Sequence, residues 1–186
     1  QDSLMNTLRQ FNQIDLEMEG LPSILGLHLE GPYFSPEQSG AQDPRHLRNP
    51  EPQEYLQALD ASNRIIRWSF AVELPGSQAF LAALRERGIV ASVAHSNATC
   101  QEVMQAYDEG VSCLTHFYSA MSGVTRRNAF RVAGVIEAGY LISDLYVEVI
   151  ADGCHLPKEL LQLIYKVKGP ERIILVTDSM RGAGLA

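Results

Sequence analysis

The sequence predicts an α/β fold, a parallel sheet with helical crossovers, and three observations lead to it. Short apolar runs alternate with stretches of helical period along the whole chain. Most of these runs are followed by a helix, the β-then-α order that favours parallel strands. The runs are nearly all apolar, as expected of strands in a sheet covered by helices.

Taken in order, Leu4, Leu8 and Phe11 recur at i, i+4 and i+7 and predict an opening helix over about residues 3–19. Residues 24–30 form an apolar run between Pro22 and Gly31-Pro32, a first strand. Residues 33–50 are rich in Gly, Pro, Asn and Asp and read as a loop. A helix is expected over 51–60, with Pro52 suited to its first turn. Residues 64–72 are the second strand. Ser77 can cap a helix running to Arg87, closed by Gly88. Strand 89–95 precedes a helix capped by Asn97 or Thr99 and ended by Gly110. Strand 111–116, a helix over 130–138, strand 146–151, a helix over 157–167 and strand 172–178 complete the chain. Six strands on this pattern fit either a doubly wound sheet or a (β/α)8 barrel. A barrel usually takes ~250 residues, so within 186 residues it would be incomplete.

Composition narrows the function. A formal charge of −7 and a pI near 5.2 argue against nucleic acid, whose phosphates call for a basic face. No apolar run reaches the ~20 residues of a membrane span. Cys100, Cys113 and Cys154 are odd in number and lack CxxC spacing, which fits reduced thiols in a cytoplasmic protein and excludes a zinc ribbon. Cys113 and Cys154 are expected to be buried and inert. The chain opens at Gln1 with neither an initiator Met nor a signal peptide and closes at Ala186 in a Gly-rich stretch. It is expected to be an internal segment of a longer protein.

The chemistry lies in positions rather than in a single motif. Glu30 ends the first expected strand, His95 the third, His116 the fourth and Asp178 the sixth. In a barrel the C-terminal strand ends share one rim, so residues far apart in sequence converge there. Two imidazoles and a carboxylate suit Zn²⁺ or a similar divalent ion with a position left for water. A second carboxylate is the usual proton shuttle. Each residue also has a plainer role: Glu30 as a turn residue, a histidine packed in the core, Asp178 as a helix cap. The shared rim favours the metal site. His28 lies two residues before Glu30 on the same strand face and is expected inside the sheet as a packing or supporting residue. His46 is expected to face solvent.

Five motifs then point to a family. They are Gly26-Leu-His-Leu-Glu-Gly-Pro32 followed by Gly40-Ala41, Ala94-His95-Ser96-Asn97-Ala98-Thr99, Thr115-His116-Phe117-Tyr118-Ser119-Ala120-Met121, Ala151-Asp152-Gly153-Cys154-His155 and Val176-Thr177-Asp178-Ser179-Met180. In this order they resemble the N-acetylglucosamine-6-phosphate deacetylases, metal-dependent amidohydrolases. The resemblance implies a TIM barrel beside a small β-sandwich. Residues 1–186 would supply the third to eighth strands; the first strands, the sandwich and the C-terminal segment would be absent. It further implies that Glu30, His95 and His116 hold one divalent ion, Zn²⁺ or another, and that Asp178 is the catalytic acid and base. Ala41 and Gln42 would border the substrate; the Ser119–Ala120 backbone, Arg127 and His155 would contact the amino-sugar phosphate. The protein would be a cytoplasmic homodimer in which Arg127 can serve a neighbouring site.

The chain departs from the family pattern in three places. Ser119 stands where Asn is usual. Gln42 stands where many members carry a histidine near the acetyl carbonyl, and Gln cannot share a titratable proton. The early H-x-H strand motif is missing. Two alternatives remain: a related amidohydrolase acting on another N-acyl sugar, a cyclic amide or a nucleobase, and a non-catalytic fragment that binds metal or assembles with partners.

Overall fold

The computed structural model describes residues 2–17, 19–20, 22–180 and 182–184. Its main feature is a parallel sheet of six strands in the order β1-β2-β3-β4-β7-β8. These are β1 (Leu27–Glu30), β2 (Ile65–Phe70), β3 (Val90–Val93), β4 (Val111–Leu114), β7 (Tyr146–Ile150) and β8 (Ile173–Val176). Each strand pairs with its sequence neighbour in the sheet, so the sheet winds in one direction as a curled half-barrel. That order excludes the doubly wound alternative, in which strand order reverses at a switch point. Because β1 and β8 do not meet, both are open edges among the described residues. Leu175 of β8 is 73% exposed in consequence.

Helices α2 (Pro52–Ala61), α3 (Ser77–Glu86), α4 (Cys100–Asp108), α5 (Val135–Leu141) and α6 (Lys158–Lys168) follow their strands as expected. The opening helix α1 (Asp2–Phe11) is shorter than its periodicity suggests. The Asn12 amide donates to the Ala61 carbonyl at 2.8 Å and its oxygen accepts from the Ser62 hydroxyl at 2.6 Å. Arg64 binds the carbonyls of Phe11 and Ile14, which ends the helix from outside. Residue 18 of the expected helix lies outside the described residues.

Two local expectations change. Gly76, at φ 88°, is the residue before α3, and the Ser77 hydroxyl donates back to the carbonyls of Val72 and Leu74 instead of capping. The helix expected over 130–138 begins only at Val135. Before it, β5 (Thr125–Arg127) and β6 (Phe130–Val132) form an antiparallel hairpin turned by Asn128 and Ala129, both at positive φ. The other capping expectation holds: Thr99 and Glu102 close a reciprocal capping box on α4.

Side chains alternate across the sheet and the two faces differ sharply. Trp68 and Phe70 of β2, Ala91 and Val93 of β3, Leu114 of β4 and Val147 and Val149 of β7 are buried beneath the helices. Phe80 of α3 is the hub, with its ring 5.0 Å from both Trp68 and Phe70 and 5.1 Å from Tyr33. Each buried aromatic contributes about 1.5–3 kcal/mol by area. The inner face instead carries His28, Glu30, Arg67, Ser69, Ser92, Thr115 and Glu148. The strands are therefore less uniformly apolar than helix-covered strands usually are, because only their outer face is an apolar core.

Candidate metal and active site

Three of the four rim residues occupy the same unusual backbone position. His95, His116 and Asp178 each sit two residues past the end of their strand, at φ 47°, 37° and 49°. A non-glycine residue in this left-handed region costs roughly 1–2 kcal/mol. Such strain persists where the surroundings over-determine it, and it clusters at functional sites. The turn aims each side chain across the sheet's rim. Glu30 reaches the same point from within β1, and Gly31 beyond it takes the positive φ.

The donor atoms of Glu30, His95 and His116 lie within 4.8 Å of one another. Glu30 Oε1 is 3.2 Å from His95 Nε2 and 3.1 Å from His116 Nε2. His95 Nδ1 lies 2.8 Å from the Gln38 carbonyl, which can only accept, so that nitrogen carries the proton. Its Nε2 is then left as a lone pair facing a carboxylate oxygen, an arrangement a cation satisfies. Phe34, buried and stacked 4.4 Å from the His95 ring, fixes its plane. His116 Nδ1 is buried with no hydrogen-bond partner among the described residues. Both imidazoles are buried, while the Glu30 side chain is 27% exposed towards the cavity. Burial pushes the Glu30 carboxyl up, but ring N–H donation from His116, and from His95 when no cation takes its Nε2 lone pair, outweighs this and holds the group well below the usual carboxylate range. Burial pushes His116 down, and Glu30 more than reverses this. The donor set fits one divalent ion.

A cavity of about 520 Å³ opens beside these groups, lined by His28, Glu30, Thr115, His116, Glu148 and Asp178 among others. Asp178 is exposed here and close enough to His116 to raise its proton affinity. A second groove of about 140 Å³ lies behind Glu73 on the helix side, and none of the three ligand residues lines it.

Beneath the ligands lies a polar network that strand-end reasoning does not reach. Arg67 donates to Glu148 and, at 2.8 and 3.0 Å, to Thr115 and Ser92. Thr115 Oγ1 is 2.7 Å from the hydroxyls of both Ser69 and Ser92, and Ser69 is 2.6 Å from His28 Nε2. The Glu148 carboxylate accepts from the His116 N–H at 3.4 Å, and its carbonyl from that of Phe117 at 2.8 Å. The visible signal was a charged residue at the centre of each of two apolar strands, Arg67 and Glu148. His28 is a supporting residue of the inner face, as expected. Burial and the Arg67 charge lower its pKa.

The remaining expected residues lie outside the cavity lining. Gly40 packs against the His95 ring, where an added Cβ would come within 3.1 Å of Cε1; Ala41 and Gln42 beside it are exposed. The Ser119 N–H is already committed to the His116 carbonyl at 2.9 Å. Arg127 is exposed on the β5–β6 hairpin. His155 is exposed, with Nδ1 2.8 Å from Asp152 Oδ2. Asp152 also accepts the N–H groups of Cys154 and His155, an Asx turn that carries Cys154 outward. Cys154 is therefore exposed, not buried as expected, whereas Cys113 is buried. His46 faces solvent. No helix among the described residues is long and apolar enough to cross a membrane.

No family model matches the chain. It is 34% identical over 164 residues to the N-acetylglucosamine-6-phosphate deacetylase of Lysinibacillus sphaericus, covering 87% of this chain and 41% of that protein. It is 33% identical over 166 residues to the N-acetylgalactosamine-6-phosphate deacetylase of a Shewanella species, covering 88% and 40%. The N-acetylglucosamine-6-phosphate deacetylase structure from Thermotoga maritima matches 100% of this chain and 48% of its own, with a TM-score of 0.86 and 38% identity. The enzyme from Mycobacterium smegmatis, solved in complex with N-acetyl-D-glucosamine-6-phosphate, gives 0.85 and 33%, covering 100% and 46%. The chain thus spans about two-fifths of the length of the curated relatives it matches. Identity above 30% along most of the chain, on a fold that superposes throughout its length, makes it similar to a part of the amino-sugar-6-phosphate deacetylases, most of those matched being named for N-acetylglucosamine-6-phosphate.

Proposed function

We propose that this chain carries the metal site and catalytic acid–base of an enzyme that hydrolyses the acetamide of N-acetylglucosamine-6-phosphate to glucosamine-6-phosphate and acetate. The observation that carries this is the convergence of Glu30, His95 and His116 within 4.8 Å, with Asp178 on the same rim. Zn²⁺ is the ion that best suits two imidazoles and a carboxylate. When bound, such an ion supplies Lewis-acid activation of a water and of the acetyl carbonyl. Asp178 takes a proton from the attacking water and returns it to the amine as the C–N bond breaks. Gln42 would donate to the carbonyl oxygen as charge builds on it. His155, whose Nδ1–H donates to Asp152, would contact the substrate through Nε2 as an acceptor.

The sugar phosphate is anchored away from the reacting bond, which spends its binding energy on orientation. Arg127 offers a planar fork for phosphate, and the Ser119–Ala120 backbone would contact the sugar phosphate through the Ala120 N–H. Arg127 stands on an exposed hairpin whose Phe130 is 76% exposed, a surface suited to the homodimer in which it would serve a neighbouring site. Residues 1–186 are then part of a barrel whose further strands cover the open edges of β1 and β8, beside a sandwich domain, in a cytoplasmic protein. Replacing Arg127 with Ala should raise KM for the 6-phosphate by roughly 10–100-fold, the range of one lost charged contact. KM for plain N-acetylglucosamine should hardly move; equal effects on both would count against the role.

One comparison favours a second substrate: a relative of almost the same identity is named for N-acetylgalactosamine-6-phosphate. Acetate release from both 6-phosphates, with added Zn²⁺ and with a chelator, is the deciding experiment. Metal-dependent release is expected, and the faster epimer names the substrate. No metal-dependent release from either would overturn the assignment. Zinc retained through dialysis should be lost in His95→Ala and His116→Ala; retention in both would remove these ligands from the site.

A further inference from the structure

The geometry points to Glu73 as a positioning residue that holds the ligand His95 in place through the two residues that follow it. The inference rests on the metal site proposed above. Glu73 lies in the loop after β2, outside the ligand set and on the helix side of the rim. Its Oε1 accepts the Asn97 N–H at 2.6 Å and its Oε2 the Ser96 hydroxyl at 2.7 Å. Ser96 Oγ in turn accepts the Ala98 N–H at 3.2 Å. Bonds to a carboxylate are shorter and stronger than neutral ones, and both fall directly beyond a residue held at φ 47°.

The same short segment is tied on its other sides. The Ser96 N–H donates to the Ala120 carbonyl at 3.2 Å, and the Ser96 carbonyl accepts from Ser122 at 3.0 Å. The His95 carbonyl accepts from Ser35 at 2.9 Å. Glu73 thus completes a junction between the loops after β1, β2, β3 and β4, and His95 sits at its centre. A helix-capping role does not account for these bonds. Helix α4 has its own capping box in Thr99 and Glu102, and Glu73 binds the residues between the ligand and that cap. Without Glu73 the His95 turn loses two of the bonds that oppose its relaxation, both of them to a carboxylate, and Nε2 moves relative to Glu30 and His116. Outer-shell partners of this kind typically change metal affinity 10–100-fold.

The test uses Co²⁺ as probe, with affinity measured by chelator competition, the visible absorption spectrum of the Co²⁺-loaded protein, and a thermal melt. Glu73→Ala is expected to bind Co²⁺ roughly 10–100-fold more weakly and to shift the visible bands. Glu73→Gln should recover to within about 3-fold, because its oxygen can accept from Asn97 while its amide donates to Ser96 Oγ. A lower melting temperature with unchanged affinity and bands in Glu73→Ala would reduce Glu73 to a structural residue and overturn the inference. So would Glu73→Gln failing as Glu73→Ala does. If Glu73→Ala cannot be purified, Ser96→Ala removes one of the two bonds and should still shift the bands; an unchanged spectrum would overturn the inference. His95→Ala separates the two levels. Undiminished Co²⁺ binding there sinks the metal site itself, whereas binding lost in His95→Ala and unchanged in Glu73→Ala sinks only the role of Glu73.

Discussion

Asp178→Asn is expected to lower kcat by roughly 10²–10⁴-fold, the contribution of a positioned general acid–base, while metal binding stays at the wild-type level. The substitution is unusually clean at this position. Asp178 is at φ 49°, and Asn is among the few residues that adopt the left-handed region readily. Its side chain is exposed in the cavity, so no buried partner is lost. Stability should therefore change by less than about 0.5 kcal/mol. What disappears is a carboxylate that can accept and return a proton beside His116. Rate measurements under saturating substrate, paired with metal content, check this. A near-normal kcat would remove Asp178 from the proton transfer. A fall in kcat that tracks loss of metal would move its role to the ligand site.

Removing either partner of the Arg67–Glu148 pair should have the largest effect on stability. Their side chains are only 15% and 7% exposed, and they meet inside the sheet. Breaking a buried pair from one side leaves an uncompensated charge and typically costs about 3–5 kcal/mol. At about 2–4 °C per kcal/mol for a chain of this size, Glu148→Leu alone should lower Tm by roughly 6–20 °C. The double variant Arg67→Met/Glu148→Leu should recover most of that loss, because apolar replacements of buried pairs are often neutral. Ser69, Ser92 and Thr115 can still satisfy one another, and Ser92 already donates to the Cys113 carbonyl at 3.1 Å. The double variant should nonetheless bind metal more weakly, since the His116 N–H loses its acceptor. Thermal melts of the two single variants and the double form a cycle. Additive losses would show that the pair is not coupled.

Much of this architecture was legible in the residues because it depends on local pattern. Short apolar runs and period-3.6 hydrophobicity marked the six parallel strands and the helices between them, with Thr99 and Gly110 as readable ends of α4. The rim residues were legible for a related reason. A side chain just past a strand's C-terminal end must project from the same edge of a parallel sheet, so Glu30, His95, His116 and Asp178 could be gathered without coordinates. Failures came where distant groups or an unsignalled turn override local preference. Helix α1 stops at Phe11 because Arg64 and Ala61, far along the chain, bind its last turn. The Thr125–Val132 hairpin replaced half of an expected helix because two residues at positive φ turn the chain there.

By itself the sequence determined the alternation of elements, the parallel sense of the sheet, the family motifs and the four residues of the rim. Those follow from patterns a few residues long. Only the tertiary structure decided that the sheet curls into an open half-barrel with two free edges, that Glu30 Oε1 stands between two imidazole nitrogens, and that Arg67, Glu148 and Glu73 brace the turns beneath them. The physical reason is range. A hydrogen bond or ion pair between residues 23 to 86 positions apart leaves no periodic trace in the sequence, because each partner alone is only a charged residue in a strand or loop.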